Sequence, residues 1–259
     1  SETPVDAEIK SYDELAVGLP KDNLTILGLA RKLTAGIERR TAGRSELTAT
    51  LRYQPAKVTR AWALHNTKRK ELETRSYRFE FSNGLSATAV WLKAIAAAEN
   101  APVTVVLNDQ GKKNAQVLVS DRVNRGEQVL AVDLLFTGDA APQKPGASSY
   151  TQMLATQGER ALGLEVAQLA GTVAWLGQRP VRIETAGIRS QMAVLAAAAL
   201  EPGLFSEIVI RDGMRSLAHL LEAPIEYQTA PDLFCLDLYK LFDVAQLIEL
   251  AAPAKVVWK

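Results

Sequence analysis

Residues 181–200 read VRIETAGIRSQMAVLAAAAL, and this stretch decides the predicted fold. Residues 181–186 form a short strand, Gly187 breaks it, and a helix rich in small residues follows. The run from Ala196 to Ala199 lets that helix approach a sheet very closely. The stretch therefore predicts a strand, an abrupt turn and a helix packed against a sheet.

Outward from this stretch, strands and helices alternate along the chain. Apolar runs predict buried strands at 103–108, 127–135, 206–212 and 255–258. Helices are predicted at about 114–125, 151–177, 191–200 and 232–251. Alternation of this kind indicates βαβ units, and hence a mostly parallel sheet flanked by helices. The loop at 137–149, rich in Gly, Pro and Ser, has the length of an Ω loop or a lid.

The N-terminal third has a different pattern. Residues 23–53 predict one long, mostly helical stretch. Residues 58–66, 73–82 and 85–94 follow as strands, the last two joined by Asn83-Gly84, a strong hairpin signal. These strands would form an antiparallel edge of the same sheet. We expect an N-terminal helical extension over 1–54 and one α/β domain over 55–259.

Composition excludes several classes of protein. The 259 residues carry 30 Lys and Arg against 29 Asp and Glu, a net charge of +1, which argues against a nucleic-acid surface. No apolar run reaches the ~18 residues of a membrane span. The chain has two histidines and one cysteine, and neither a P-loop nor a GxGxxG motif. We expect neither a metal nor a cofactor.

The turn at residue 187 is the candidate site. Strand, sharp turn and close-packed helix is the arrangement of a nucleophile elbow, in which the turn lifts a nucleophile above the sheet. The nucleophile slot falls on Gly187, which has no hydroxyl or thiol. Ser190 follows on the first helical turn, where a serine more often caps backbone N–H groups. Asn108, Gln110 and Gly111 form a second turn that could present N–H groups to an oxyanion.

The order of these segments resembles that of a bacterial α/β-hydrolase family that includes acetylxylan esterases and related polysaccharide esterases. The resemblance covers roughly residues 50–259, and it rests on the order and spacing of the segments. Its pieces are VTVVLNDQGK (103–112), EQVLAVDLLFTGDA (127–140), IETAGIRSQMAVLAAAALEP (183–202) and FSEIVIRDGMRSLAHLL (205–221). The resemblance implies an α/β-hydrolase-like fold and an exported protein, periplasmic or secreted.

The departures from the family pattern bear on activity. Gly187 occupies the position of the family's serine. The family's acid follows the strand that matches KVVW (255–258), and its histidine follows one more strand, so neither can be carried over onto this sequence. The resemblance therefore implies a non-catalytic domain that acts as a partner or binding domain. Its partner would be another hydrolase domain, a second copy of the chain, or a carbohydrate.

Two other functions stay open at the level of sequence. The first is an active carboxylesterase with Ser190 or Ser216 as an atypical nucleophile. Asp212 and His219 lie near Ser216 in sequence and would supply the acid and the base. The second is a ligand-binding or interaction protein, since a fold does not determine a function.

Overall fold

The computed structural model describes residues 9–37, 42–144, 146–177 and 180–259. Contacts between residues divide the chain into two compact units, residues 1–37 and 38–259. The first unit contains helices α1 (Tyr12–Leu15) and α2 (Ile26–Thr34), and the second contains every described strand. None of the described helices is long and apolar enough to cross a lipid bilayer.

The single helical stretch predicted over 23–53 is wrong. After α2 the chain leaves the helical conformation, and a separate helix, α3 (Arg44–Leu51), begins in the second unit. Glu46 accepts the backbone N–H of Gly43 at 2.9 Å, which marks a new helix start. Residues 38–41, which the prediction also covered, lie outside the described residues.

Eight strands form one sheet. They are β1 (Val58–Arg69), β2 (Leu72–Phe81), β3 (Ser86–Ala94), β4 (Val103–Asn108), β5 (Gln128–Asp133), β6 (Val181–Ala186), β7 (Phe205–Arg211) and β8 (Lys255–Trp258). Their order is β1-β2-β3-β5-β4-β6-β7-β8. β1, β2 and β3 are antiparallel, β3 pairs antiparallel with β5, and the other pairs are parallel. This confirms the mostly parallel sheet with an antiparallel extension, including the predicted hairpin between β2 and β3.

The remaining helices connect the strands. They are α4 (Gln116–Asn124), α5 (Ala147–Thr156), α6 (Ala161–Trp175), α7 (Ile188–Leu200), α8 (His219–Glu222), α9 (Leu238–Leu241) and α10 (Val244–Leu250). The helix predicted over 151–177 is in fact α5 and α6, separated at Gly158, whose φ of +85° ends the first of them. The helix predicted over 232–251 is a 3-10 turn followed by α9 and α10. Asp243 separates these two, because its carboxylate caps the start of α10.

Helices lie on both faces of the sheet. Alternate residues of a strand point to opposite faces, so Val105 and Val106 of β4 belong to different apolar clusters. The larger cluster includes buried residues of α3, α6, α7 and α10. The smaller one includes Leu118 of α4. Because the parallel strands are buried on both faces, they read in the sequence as continuous apolar runs.

Candidate functional site: the turn between β6 and α7

Gly187 forms the turn that was predicted as a degenerate elbow. It lies between the last residue of β6 and the first of α7, with φ +108° and ψ +167°. Residues with a β-carbon rarely adopt this φ. Every residue of α7 from Ser190 to Ala199 is buried, so the helix packs closely on the sheet as its small residues predict.

The side chain of Asp109 fills the space above this turn. A β-carbon on Gly187 would lie 2.2 Å from Asp109 Oδ2 and 2.3 Å from its Cγ, far inside van der Waals contact. Asp109 comes directly after β4, and its own N–H donates to the carbonyl of Ala186 at 3.0 Å. The backbone after β4 therefore holds the carboxylate in the space that a side chain on residue 187 would need.

The Asp109 carboxylate also caps α7. It accepts the backbone N–H of Arg189 at 2.9 Å and that of Ser190 at 2.7 Å. A carboxylate at this position satisfies otherwise unpaired N–H groups and complements the positive end of the helix dipole. In α/β-hydrolases, N–H groups near the elbow stabilise the oxyanion of the reaction. Here two N–H groups of the first helical turn already have an internal anion as acceptor.

A buried charged cluster lies beside the same turn. Arg189 Nε donates to Asp232 Oδ1 at 2.7 Å, and Glu165 of α6 faces the same small cavity of about 10 Å³. Asp232 Oδ2 and Glu165 Oε1 are buried and have no hydrogen-bond partner among the described residues. One guanidinium thus neutralises only part of the carboxylate charge gathered here.

Burial decides the protonation of this cluster. Loss of hydration raises the pKa of Glu165 well above its ordinary value, and the negative charge of Asp232 raises it further. Burial also raises the pKa of Asp232, although Arg189 opposes that shift. Burial therefore works against ionisation of both carboxyl groups, and the guanidinium of Arg189 is hydrogen-bonded to Asp232.

The described hydrogen bonds of the Ser190 hydroxyl are to backbone carbonyls. The hydroxyl donates to the carbonyls of Ala186 at 3.1 Å and Gly187 at 3.4 Å. Both contacts lie within the helix and its turn, and no histidine is among the partners described for Ser190. The N–H groups of this helix start are capped by Asp109 instead.

Ser216, Asp212 and His219 do not form a triad in the described structure. The Ser216 hydroxyl donates to Asp243 Oδ2 at 2.8 Å and accepts the N–H of Ala218 at 3.1 Å. Asp212 is exposed after β7 with φ +50°, and it has no hydrogen-bond partner among the described residues. His219 begins α8, and its imidazole contacts neither of the other two by a described hydrogen bond.

The turn predicted to bind an oxyanion has its polar groups engaged locally. Asn108 Oδ1 accepts the N–H of Gln110 at 2.8 Å, and the N–H of Gly111 donates to the carbonyl of Asn108 at 2.8 Å. The φ of Gly111 is +89°, and a β-carbon there would lie 2.4 Å from the Cα of Gly138. The glycine is therefore required by the close contact of two turns.

A buried ion pair holds these two turns together. Asp133, at the end of β5, accepts the N–H of Lys112 at 2.6 Å, its ammonium at 2.5 Å, and the N–H of Asp139 at 2.8 Å. The Lys112 ammonium also donates to Thr88 and Asp139, each at 2.8 Å. All three protons of the Lys112 ammonium have acceptors within the protein, so the role of Lys112 is to hold these turns together.

Sequence reasoning missed the residues that fill the site. Asp109, Glu165, Arg189 and Asp232 come from four separate segments. One signal was present for Asp109, which directly follows a buried strand in the turn predicted to bind an oxyanion. No group of histidine, cysteine and carboxylate side chains within the described residues could hold a metal ion.

Comparison with known proteins gives structural relatives. No protein-family model matches the chain, and no curated protein matches it. One similar structure is a Bacteroides fragilis protein provisionally assigned as an acetyl xylan esterase, with a TM-score of 0.71, 14% identity, and coverage of 93% of this chain and 77% of that one.

Two other esterase structures resemble the chain at the same identity. The glucuronoyl esterase of Solibacter usitatus has a TM-score of 0.58, 14% identity, and coverage of 83% of this chain and 72% of that one. Acetyl xylan esterase 1 of Thermoanaerobacterium sp. has a TM-score of 0.53, 14% identity, and coverage of 85% and 76%. The eight-stranded, mostly parallel sheet with flanking helices is thus the α/β-hydrolase-like fold of these esterases.

Proposed function

We propose that the chain is a non-catalytic domain of α/β-hydrolase-like fold, related to acetylxylan-type esterases, that functions by binding. The observation that carries this proposal is the contact between Gly187 and Asp109. The nucleophile position has no side chain, and a carboxylate lies in the space where a substrate ester would have to be attacked. An anion there repels the oxyanion that an ester hydrolase must stabilise.

The other candidate residues support the same proposal. Ser190 and Ser216 donate their hydroxyl protons to a backbone carbonyl and to a carboxylate, and no described imidazole is hydrogen-bonded to either. A serine becomes a nucleophile when an adjacent base accepts its proton. The partner we propose is a second hydrolase domain, a second copy of this chain, or a carbohydrate.

The first experiment measures hydrolysis of p-nitrophenyl acetate by the purified chain and by its Ser190→Ala and Ser216→Ala variants. We expect all three to match the buffer rate. Turnover by the parent chain that either variant abolishes would overturn the proposal. Light scattering after size exclusion, alone and with xylan fragments, then separates self-association from carbohydrate binding.

A further inference from the structure

A cavity of about 450 Å³ lies on the α4 side of the antiparallel strands. Its volume is within the range of ~300–1,000 Å³ typical of small-molecule sites. None of the residues gathered around Gly187 lines it. Any ligand bound here would therefore be independent of the turn between β6 and α7, and the inference goes beyond the proposed function.

The floor of this cavity is apolar. Val90 and Leu92 of β3 lie beside Ala131 of β5, and all three side chains are on the sheet face that packs against α4. Val119 of α4 and Leu64 of β1 form the sides. Every residue of β1 after Val58 is exposed, so the cavity is open to solvent along that edge of the sheet.

Three polar side chains in the wall are available to a ligand. His65 of β1 and Ser76 of β2 pair in register, and Gln116 extends from the first turn of α4. None of the three has a hydrogen-bond partner among the described residues. They can accept or donate to a ligand without breaking a protein contact.

Two basic side chains, Arg78 and Lys113, lie beside or among the lining residues. Arg78 pairs in register with Thr88, a lining residue, and lies on the same face of β2 as Ser76. It is exposed and has no acidic partner in the described part of the chain. Lys113 is 76% exposed and contacts a single carboxylate, that of Asp139, in a pair weakened by solvent.

We propose that this cavity binds a small amphipathic organic anion. The apolar part of the ligand lies on Val90 and Leu92. Its carboxylate or sulfonate group lies at the mouth, where Arg78 and Lys113 provide guanidinium and ammonium donors. Lys112 takes no part, because its three protons already have acceptors within the protein.

Two fluorescent probes with the same aromatic skeleton test this proposal. 8-Anilinonaphthalene-1-sulfonate carries the anionic group, and N-phenyl-1-naphthylamine lacks it. We expect one saturable site for the anionic probe and a melting temperature that rises with probe concentration, because binding stabilises the native state. Val90→Trp should fill the cavity and weaken binding of both probes at least about tenfold. Gln116→Trp, from an exposed lining position, repeats the test if Val90→Trp fails to fold.

Variants outside the cavity and at its mouth test whether the probes bind in this cavity. Val117→Trp adds the same side chain at a 79% exposed position of α4 that does not line the cavity, so it should leave binding unchanged. Arg78→Gln should weaken the anionic probe about threefold to tenfold and leave the neutral probe unchanged. Arg125→Gln, at the far end of α4, should affect neither. Non-saturable binding, unchanged binding in both cavity-filling variants, or equal losses for both probes in Arg78→Gln would overturn the proposal.

Discussion

The carboxylate of Asp109 lies where a side chain on residue 187 would have to be. The distance from a β-carbon built on Gly187 to Asp109 Oδ2 is 2.2 Å, and the same carboxylate caps α7 through two backbone N–H groups. The missing side chain at residue 187 and the cap of α7 therefore depend on each other, because a side chain there would displace the carboxylate that forms the cap. A glycine is the residue that permits the carboxylate to reach the helix.

Gly187→Ser should destabilise the protein strongly. The change places a β-carbon at φ +108° and against Asp109, so both backbone strain and overlap oppose folding. We expect a loss of about 2–4 kcal/mol in the free energy of unfolding, measured by denaturant titration. The control is Gly84→Ser, where φ is +81° but nothing lies within 4 Å of the new β-carbon, so strain acts alone.

A double-mutant cycle isolates the overlap with Asp109. Gly187→Ser combined with Asp109→Gly should lose less stability than the sum of the two single changes, by about 1 kcal/mol or more. Additive losses would show that Asp109 does not exclude a side chain at position 187. The double variant should also stay inactive towards p-nitrophenyl acetate, since in the described structure neither His65 nor His219 has a side-chain hydrogen bond to this turn.

Glu165→Gln should stabilise the protein increasingly as the pH rises. Burial raises the pKa of Glu165, so between its unfolded and folded pKa the native state holds a proton that the unfolded state has released. The free energy of unfolding therefore falls with rising pH in that window, by about 1.4 kcal/mol per pH unit. The glutamine cannot ionise and removes this loss.

Urea unfolding at pH 5 and pH 8 tests the Glu165 prediction. The advantage of Glu165→Gln over the parent should be larger at pH 8, and the exposed carboxylate change Glu226→Gln should show no such difference. An advantage that shrinks as the pH rises would contradict a raised pKa of Glu165 in the native state.

Lys112→Met and Lys113→Met should differ widely although both lysines contact Asp139. The Lys112 side chain is 7% exposed and pairs with buried Asp133, so its removal leaves a buried carboxylate without its cation. We expect a loss of about 3–5 kcal/mol for Lys112→Met. Lys113 is 76% exposed, and Lys113→Met should leave stability nearly unchanged because solvent screens its contact with Asp139. Thermal unfolding of the two variants and the parent makes the comparison, and similar losses would contradict it.

Much of the fold was predictable because its signals are local. Gly187 after a short apolar strand, the alanine run of α7 and the Asn83-Gly84 turn each depend on a few neighbouring residues. The predictions that failed were those of long helices that the structure divides into shorter ones. Gly158 and Asp243 end or restart helices through backbone conformation and capping, and an apolar pattern of helical period continues across such positions.

The position of the candidate site was predictable from the sequence, but the side chains that meet there were not. Gly187 itself marked the turn and the missing hydroxyl. Asp109, Glu165, Arg189 and Asp232 meet there from β4, α6, α7 and a late 3-10 turn, and nothing in their sequence spacing indicates the contact. The 450 Å³ cavity likewise depends on α4 lying against strands that precede it in the chain.

From the amino-acid sequence came the alternation of strands and helices, the antiparallel extension and the missing side chain at residue 187. These follow from periodicity, turn residues and side-chain chemistry, which act over a few residues. The packing of distant segments places the Asp109 carboxylate over Gly187, buries Glu165 beside that turn, and brings His65, Ser76 and Gln116 to one cavity. No local pattern in the sequence encodes these contacts, because burial and long-range contact arise only when such segments pack together.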